Sequence, residues 1–260
     1  MLSESERQEA SQLLMQAERE RQQVPGPSRT WPQITLEDSY AIAALGVQEK
    51  VAAGATVRGR KIGLTSKAMQ RSSQIDEPDF GILLDDMFIE EGGEVPRDSF
   101  CVPRAELEIA FIMGRRLTGP DVQLGDVIDA TEYITPSIEI IDARAKDPRT
   151  IFDTVADNGA AARVVLGTEK FDPRGFDMRW LGAMMHRNGE VEETGLAAGV
   201  LDHPANAIVW LANKLVGFGE SVEAGQVILT GSFVRPVWAE AGDRLMGDFG
   251  SMGTVSVQFT

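Results

Sequence analysis

The 260-residue sequence is poor in the residues that build several common kinds of site. It has one cysteine, Cys101, so no disulfide can form within the chain, and with only two histidines it cannot assemble the usual Cys/His zinc sites. Basic residues are also scarce. Twenty-five Lys and Arg stand against forty Asp and Glu, giving a formal charge of −15, which opposes binding to nucleic-acid phosphates or anionic lipid surfaces. No apolar run reaches the roughly 18 residues that would span a bilayer, and the charged start MLSESERQEA has no apolar signal core. The expectation is a soluble cytoplasmic protein with neither nucleic acid nor membrane as partner. There is no internal repeat and no low-complexity tract.

What is present is an ordinary globular composition, 43% hydrophobic and 25% charged, at a length that supports a full enzyme. From Ser3 to about Val24, apolar residues recur at helical spacing, and Ser3 with Glu6 makes a capping-box pattern. PGPSRTWP breaks this helix. Thr35 caps a second one running to about Ala53. Residues 1–60 thus read as a helical N-terminal segment and 61–260 as the main domain. Beyond Gly59, KIGL, GILL, ELEIAFIM, SIEIID, RVVLG, QVILTG and TVSVQF read as strands, interrupted by one long helix, HPANAIVWLANKL, with Pro204 in its first turn. The order is not a regular βαβ alternation, so the expected class is α+β.

In PRAELEIAFIM the alternation places Glu106, Glu108, Ala110 and Ile112 on one strand face and Leu107, Ile109, Phe111 and Met113 on the other. Same-face neighbours on a strand lie roughly 6 to 7 Å apart, so the two carboxylates repel unless they are solvated, protonated or joined by a cation. A third acid, Glu139, sits in the apolar strand SIEIID. Three carboxylates make a hard oxygen site suited to Mg2+ or Mn2+. The pattern alone also admits Glu106 and Glu108 on a solvated sheet face, with Glu139 paired to a base such as Arg144. Lys61 in RGRKIGLTS, followed by Thr65, fits either a cavity or a strand end in water, and Asp79 is one of several acids in a turn. His203, before Pro204, reads as a helix cap, and His186 as part of an exposed hairpin. GSFVRPV combines a tight turn, Ser232 and Arg235. Arg235 is either a solvent-exposed loop residue or a clamp for a substrate carboxylate.

Taken together and in order, KIGLTSKAMQ, EPDFGILLDDMF, PRAELEIAF, IEIIDARA, FDTVADNGA, RNGEVEETG, GVLDHPANAIVWLANKL, TGSFVRPV, AGD and GSMGTV resemble the hydratase/decarboxylase branch of the fumarylacetoacetase-like superfamily. The resemblance runs from about Thr35 to the last residue. It implies a mixed β-sheet roll or barrel behind a helical N-terminal segment, with Mg2+ or Mn2+ held by Glu106, Glu108 and Glu139. Lys61 and Asp79 enter as proton-transfer residues, with Thr65, Ser232 and Arg235 on the substrate. The implied reaction is addition of water to a short unsaturated 2-oxo acid; decarboxylation at the same site and a noncatalytic partner subunit are the alternatives. The branch assembles into pentamers or decamers, which implies a homo-oligomer. Two features bear on substrate length. The segment between IDARA and FDTVADN is only KDPRTI, shorter than in the branch's enzymes for seven-carbon diacids, whereas SFVRPV resembles those enzymes.

Overall fold

A computed structural model describes residues 1–72 and 75–260. The helices, in chain order, are α1 (Glu4–Glu20), α2 (Pro27–Thr30), α3 (Leu36–Ala52), α4 (Lys67–Ser72), α5 (Leu124–Ala130), α6 (Ile151–Ala156) and α7 (Pro204–Leu215). The strands are β1 (Val57–Gly63), β2 (Asp79–Leu84), β3 (Phe88–Ile89), β4 (Glu94–Val95), β5 (Pro103–Met113), β6 (Thr131–Asp142), β7 (Ala161–Leu166), β8 (Gly182–Arg187), β9 (Glu190–Leu196), β10 (Val227–Leu229), β11 (Val237–Trp238), β12 (Arg244–Asp248) and β13 (Thr254–Phe259).

The expected capping box of Ser3 with Glu6 starts α1, and Thr35 caps α3 as expected, in a box completed by Asp38. Asp38 also accepts from the backbone N–H of Leu2 and pairs with Arg7 at 2.7 Å, tying the two helices together at their N-terminal ends. The α1 helix stops at Glu20, short of the expected Val24. Arg21 turns left-handed, and Val24 bridges Ala145 instead, because this stretch is used to fasten the loop after β6. At the other end of the segment, β1 begins at Val57, a few residues before the expected boundary.

Two mixed sheets form among the described residues. The larger runs β2-β1-β10-β5-β6-β7-β3, with β11 paired to β5; the smaller runs β4-β13-β12-β8-β9. Leu107, Ile109, Phe111 and Ile138 from the larger sheet pack with Leu245, Val255, Val257 and Phe259 from the smaller, forming the main core. The opposite face of the larger sheet has a smaller apolar cluster of Leu83, Ala110, Ile112, Val164, Val227 and Leu229, capped by Val47 of α3. The expected alternation along β5 is therefore real. Its Leu107 side lines the dry layer between sheets, and its Glu106 side faces the helical segment's half of the molecule.

Candidate metal centre and active site

The antiparallel pairing of β5 and β6 sets Glu106 directly opposite Glu139, and Glu108 opposite Ser137. Because β-sheet hydrogen bonds fix this register, side chains of directly opposed residues project to the same face a few ångströms apart. One carboxylate oxygen from each of Glu106, Glu108 and Glu139 lies within 4.8 Å of the other two. Burial excludes the solvated-face reading: Glu139 is 0% and Glu108 1% exposed, and Glu106 is half-buried. The alternative partner Arg144 is engaged elsewhere, 2.6 Å from Asp157.

Across β10, β1 brings Lys61 to the same face, its Nζ 3.2 Å from Glu139 Oε1. Asp79 follows from the β1–β2 pairing, opposite Gly63, where a Cβ would stand 2.2 Å from its Oδ1, so only glycine leaves room for that carboxylate. Lys61 is 4% and Asp79 2% exposed. Four carboxylates thus crowd one ammonium in a dry pocket. The Gly231 N–H donates to Glu108 Oε2 at 2.6 Å, yet both oxygens of Glu139 and both of Asp79 are buried without a hydrogen bond. Buried carboxylate oxygens without hydrogen bonds are costly, one ammonium does not balance four acids, and a cation is the remedy that this all-oxygen, all-acid donor set fits.

The protonation directions have the same origin. Burial pushes the Glu106 carboxyl up to about 7, with Glu139 adding to it and Lys61 opposing, and burial holds Glu108 well above the ordinary carboxylate range, reinforced by Glu139 and Glu106. Burial likewise raises Asp79. For Lys61 burial acts downward, but Glu139, Glu106, Asp79 and Glu108 overcome it and hold the ammonium above the usual lysine range.

A turn closes the pocket from the side of α6. Asn158, Gly159 and Ala160 all take positive φ (53°, 63° and 58°). Gly159 is required there: a Cβ would lie 3.0 Å from Lys61 Cδ, so the turn rests against the lysine's methylenes. Asn158 both donates to Ile82 O at 2.8 Å and accepts from Ile82 N at 2.7 Å, clamping the turn to β2. Behind it, the buried Arg144 holds Asp157 through its Nε and backbone N–H and reaches the Asp157, Asp142 and Ala161 carbonyls. The motif FDTVADNGA flagged this segment, but three successive left-handed residues are not readable from it.

The remaining expected residues are placed less uniformly. Thr65 is buried, and its side chain packs against Gly231. Ser232 spends its hydroxyl on the Leu107 and Val234 carbonyls, shaping the loop after β10. Arg235 is not in the buried cluster: its side chain is 85% exposed and pairs with Glu193 at 2.7 Å, since its loop runs outward toward β9. His203 caps α7 by accepting from the Ala205 N–H, and His186 lies half-buried on β8 in the smaller sheet, so neither joins the carboxylates. Burial pushes the Cys101 thiol up to about 12, with Asp142 adding to it. Arg104 was not singled out in the sequence, although the alternation of β5 carries it to the same face as Glu106; its guanidinium lies 4.9 Å from the ring centroid of Trp238.

Among proteins similar to this chain is the 2-oxo-hept-4-ene-1,7-dioate hydratase of Escherichia coli, 52% identical over 256 residues, which cover 96% of each chain. The 2-hydroxyhexa-2,4-dienoate hydratase of Comamonas testosteroni is 43% identical over 88% of each. Among solved structures, the 4-oxalocrotonate decarboxylase from Pseudomonas putida G7, complexed with magnesium and adipate, superposes with a TM-score of 0.97 at 32% identity, covering 100% of this chain and 99% of that one. The family profile described as fumarylacetoacetate (FAA) hydrolase C-terminal matches residues 50–260. With the acid cluster seated on such a sheet, the chain belongs to the fumarylacetoacetate hydrolase C-terminal family.

Proposed function

We propose that this protein is a divalent-cation-dependent hydratase that adds water to 2-oxohept-3-ene-1,7-dioate, or its 4-ene isomer, giving 4-hydroxy-2-oxoheptanedioate in the breakdown of aromatic compounds. The observation that carries this reading is the convergence of Glu106, Glu108 and Glu139 within 4.8 Å, beside Lys61. The similarity to the Escherichia coli hydratase supports the substrate. Mg2+ or Mn2+ held by the three glutamates would act as a Lewis acid toward the carboxylate and 2-oxo group of the substrate. Magnesium in the similar decarboxylase structure supports the choice of ion.

The chain's own residues supply the proton transfers. Water adds to the conjugated 3-ene form, which the 4-ene isomer reaches by moving a proton from C3 to C5, and in that addition Lys61, kept as an ammonium by the surrounding acids, is the donor to C3. Asp79, with neither oxygen engaged by a hydrogen bond, takes the proton from the water whose oxygen joins C4. The Asn158–Ala160 turn and β2 hold these two groups and keep bulk water away from them. Residues 61–260 carry the reaction, and residues 1–60 brace the loop and α6 from behind: Gln23 donates to the Ala143 and Ala145 carbonyls, and Asp153 accepts from Ser28. We read the protein as a cytoplasmic homo-oligomer, pentameric or decameric.

The test is loss of ultraviolet absorbance of the conjugated substrate by purified protein with Mg2+. Turnover that survives thorough chelation would overturn the cation-dependent scheme. The decarboxylase likeness supports a second reading, loss of CO2 from a six-carbon 2-oxo-enedioate at the same groups. Released CO2 in place of a hydroxylated product would decide for it. A noncatalytic subunit has no use for four clustered carboxylates, three of them buried, around one lysine, and purified protein that turns over alone excludes it.

A further inference from the structure

The pocket is not equally closed along β5. Glu108 and Ala110 are buried, while Glu106 and Arg104 are half-buried, so the pocket opens toward the N-terminal end of this strand. Trp238, directly opposite Arg104 in the β5–β11 pairing and 52% exposed, lies at this end, and the Arg104 guanidinium rests on its ring. A substrate whose head reaches the three glutamates has its tail here.

Arg104 is a half-buried arginine beside the acid cluster whose charge is not spent on an ion pair. Arg60, Arg144 and Arg187 each have a carboxylate within ion-pair distance. Among the described residues Arg104 has neither an ion pair nor a side-chain hydrogen bond, and its Nε is buried without a partner. The nearest charges do not satisfy it. Glu106 faces the acid cluster, and Arg149, in the short loop after β6, adds another positive charge while itself pairing with Asp147 at 3.0 Å. A guanidinium held by an aromatic face with its fork unspent is suited to receive a carboxylate in two hydrogen bonds.

We propose that Arg104, not Arg235, receives the distal carboxylate of a dicarboxylic substrate and sets the preference for diacids over monoacids. The inference rests on the reading that the 2-oxo acid head lies at the glutamates. The lengths agree. Residues two apart on a strand are roughly 6 to 7 Å apart, and an extended seven-carbon chain, with bonds of about 1.5 Å, spans roughly 7 to 8 Å. Arg235 is turned away and neutralised by Glu193.

The experiment is calorimetric binding of two saturated, unreactive acids, 2-oxoheptanedioate and 2-oxoheptanoate, to the full chain in Mg2+. Wild type should bind the diacid roughly 30-fold more tightly, about 2 kcal/mol at 1.4 kcal/mol per decade. Arg104→Ala should reduce that ratio to below about threefold. Arg104→Lys, which keeps the charge and loses the fork, should leave an intermediate ratio, and it serves as the deciding variant if the alanine protein does not fold. Arg235→Ala should keep the full preference. A wild type without preference, an Arg104 variant that retains it, or its loss in Arg235→Ala would overturn the assignment. A merely structural role for Arg104 under Trp238 would weaken both acids alike and leave the ratio unchanged, which also overturns it. Because the binding assay needs no turnover, a protein that prefers the diacid yet leaves the conjugated substrate's absorbance intact would refute the hydratase reading and spare Arg104.

Discussion

On the proposed scheme a carboxylate placed to serve a cation is a liability without it, which gives Glu106 and Glu108 opposite effects in the two states. Glu106→Gln or Glu139→Gln should lower kcat/KM by at least about a thousandfold, the scale expected when a group acting on the transition state is removed. In chelator, Glu106→Gln should melt at or above the wild-type temperature, because it removes a like charge from the cluster, whereas Glu139→Gln also takes away the ion-pair partner of Lys61. Thermal melts with and without Mg2+ check both arms, and a lower melting temperature of Glu106→Gln in chelator would contradict the electrostatic account. The sign with pH follows. Glu106 in the folded, cation-free chain is pushed up to about 7, and Glu108 also lies above its ordinary value. A carboxyl whose folded pKa exceeds the unfolded one favours folding fully below the unfolded value of about 4.5, and that contribution is lost as pH rises through about 7. The melting temperature in chelator should therefore fall between about pH 4.5 and 7, and saturating Mg2+ should reduce the fall. At this scale the sequence was eloquent about the glutamates, because an acid inside an apolar strand is conspicuous. It was nearly silent on Arg104, since an arginine two residues before a glutamate on a strand is commonplace until Trp238 and the exposure gradient give it a setting.

Among the elements, the Asn158–Ala160 turn carries the most weight for its size. Its anchor is the buried pair Arg144–Asp157, and breaking a buried pair from one side strands a charge at a cost of about 3 to 5 kcal/mol. Arg144→Met should lower unfolding free energy by about that amount in urea titrations, and a change under about 1 kcal/mol would show the pair to be dispensable. Gly159→Val should act differently. A side chain there meets Lys61 and needs a backbone conformation disfavoured for valine, so activity should fall by more than about tenfold, further than the loss of stability explains. The strands and both capped helices were legible because period-two and helical patterns are local. The halt of α1 at Glu20 was not, because it depends on Val24 meeting Ala145, a partner far away in the chain. The β8–β9 hairpin around His186 was legible for the same local reason, whereas the pairing of β8 with β12 is tertiary and was not.

For the molecule as a whole, the acid excess makes cations welcome and the cation a stabilising ligand. Binding only to the folded form adds about 2.7 kcal/mol at a hundredfold excess over Kd, so Mg2+ titration should raise the melting temperature in wild type and not in Glu139→Gln. Light scattering should give a mass five or ten times 28.3 kDa; a monomer would refute the oligomeric reading. The mixed-sheet class and its helical preface were apparent from the segment order, whereas the division into two stacked sheets with the acids on the outer face of one became visible only in three dimensions.

The direct opposition of Glu106 and Glu139 also bears on how the chain finds its shape. Were β6 to pair with β5 one residue out of step, Glu139 would swing into the oily layer beside Leu107 and Ile109, away from Glu106 and Glu108 and where neither water nor ion reaches it. The acids proposed to hold the cation thus also penalise the wrong alignment of β5 with β6.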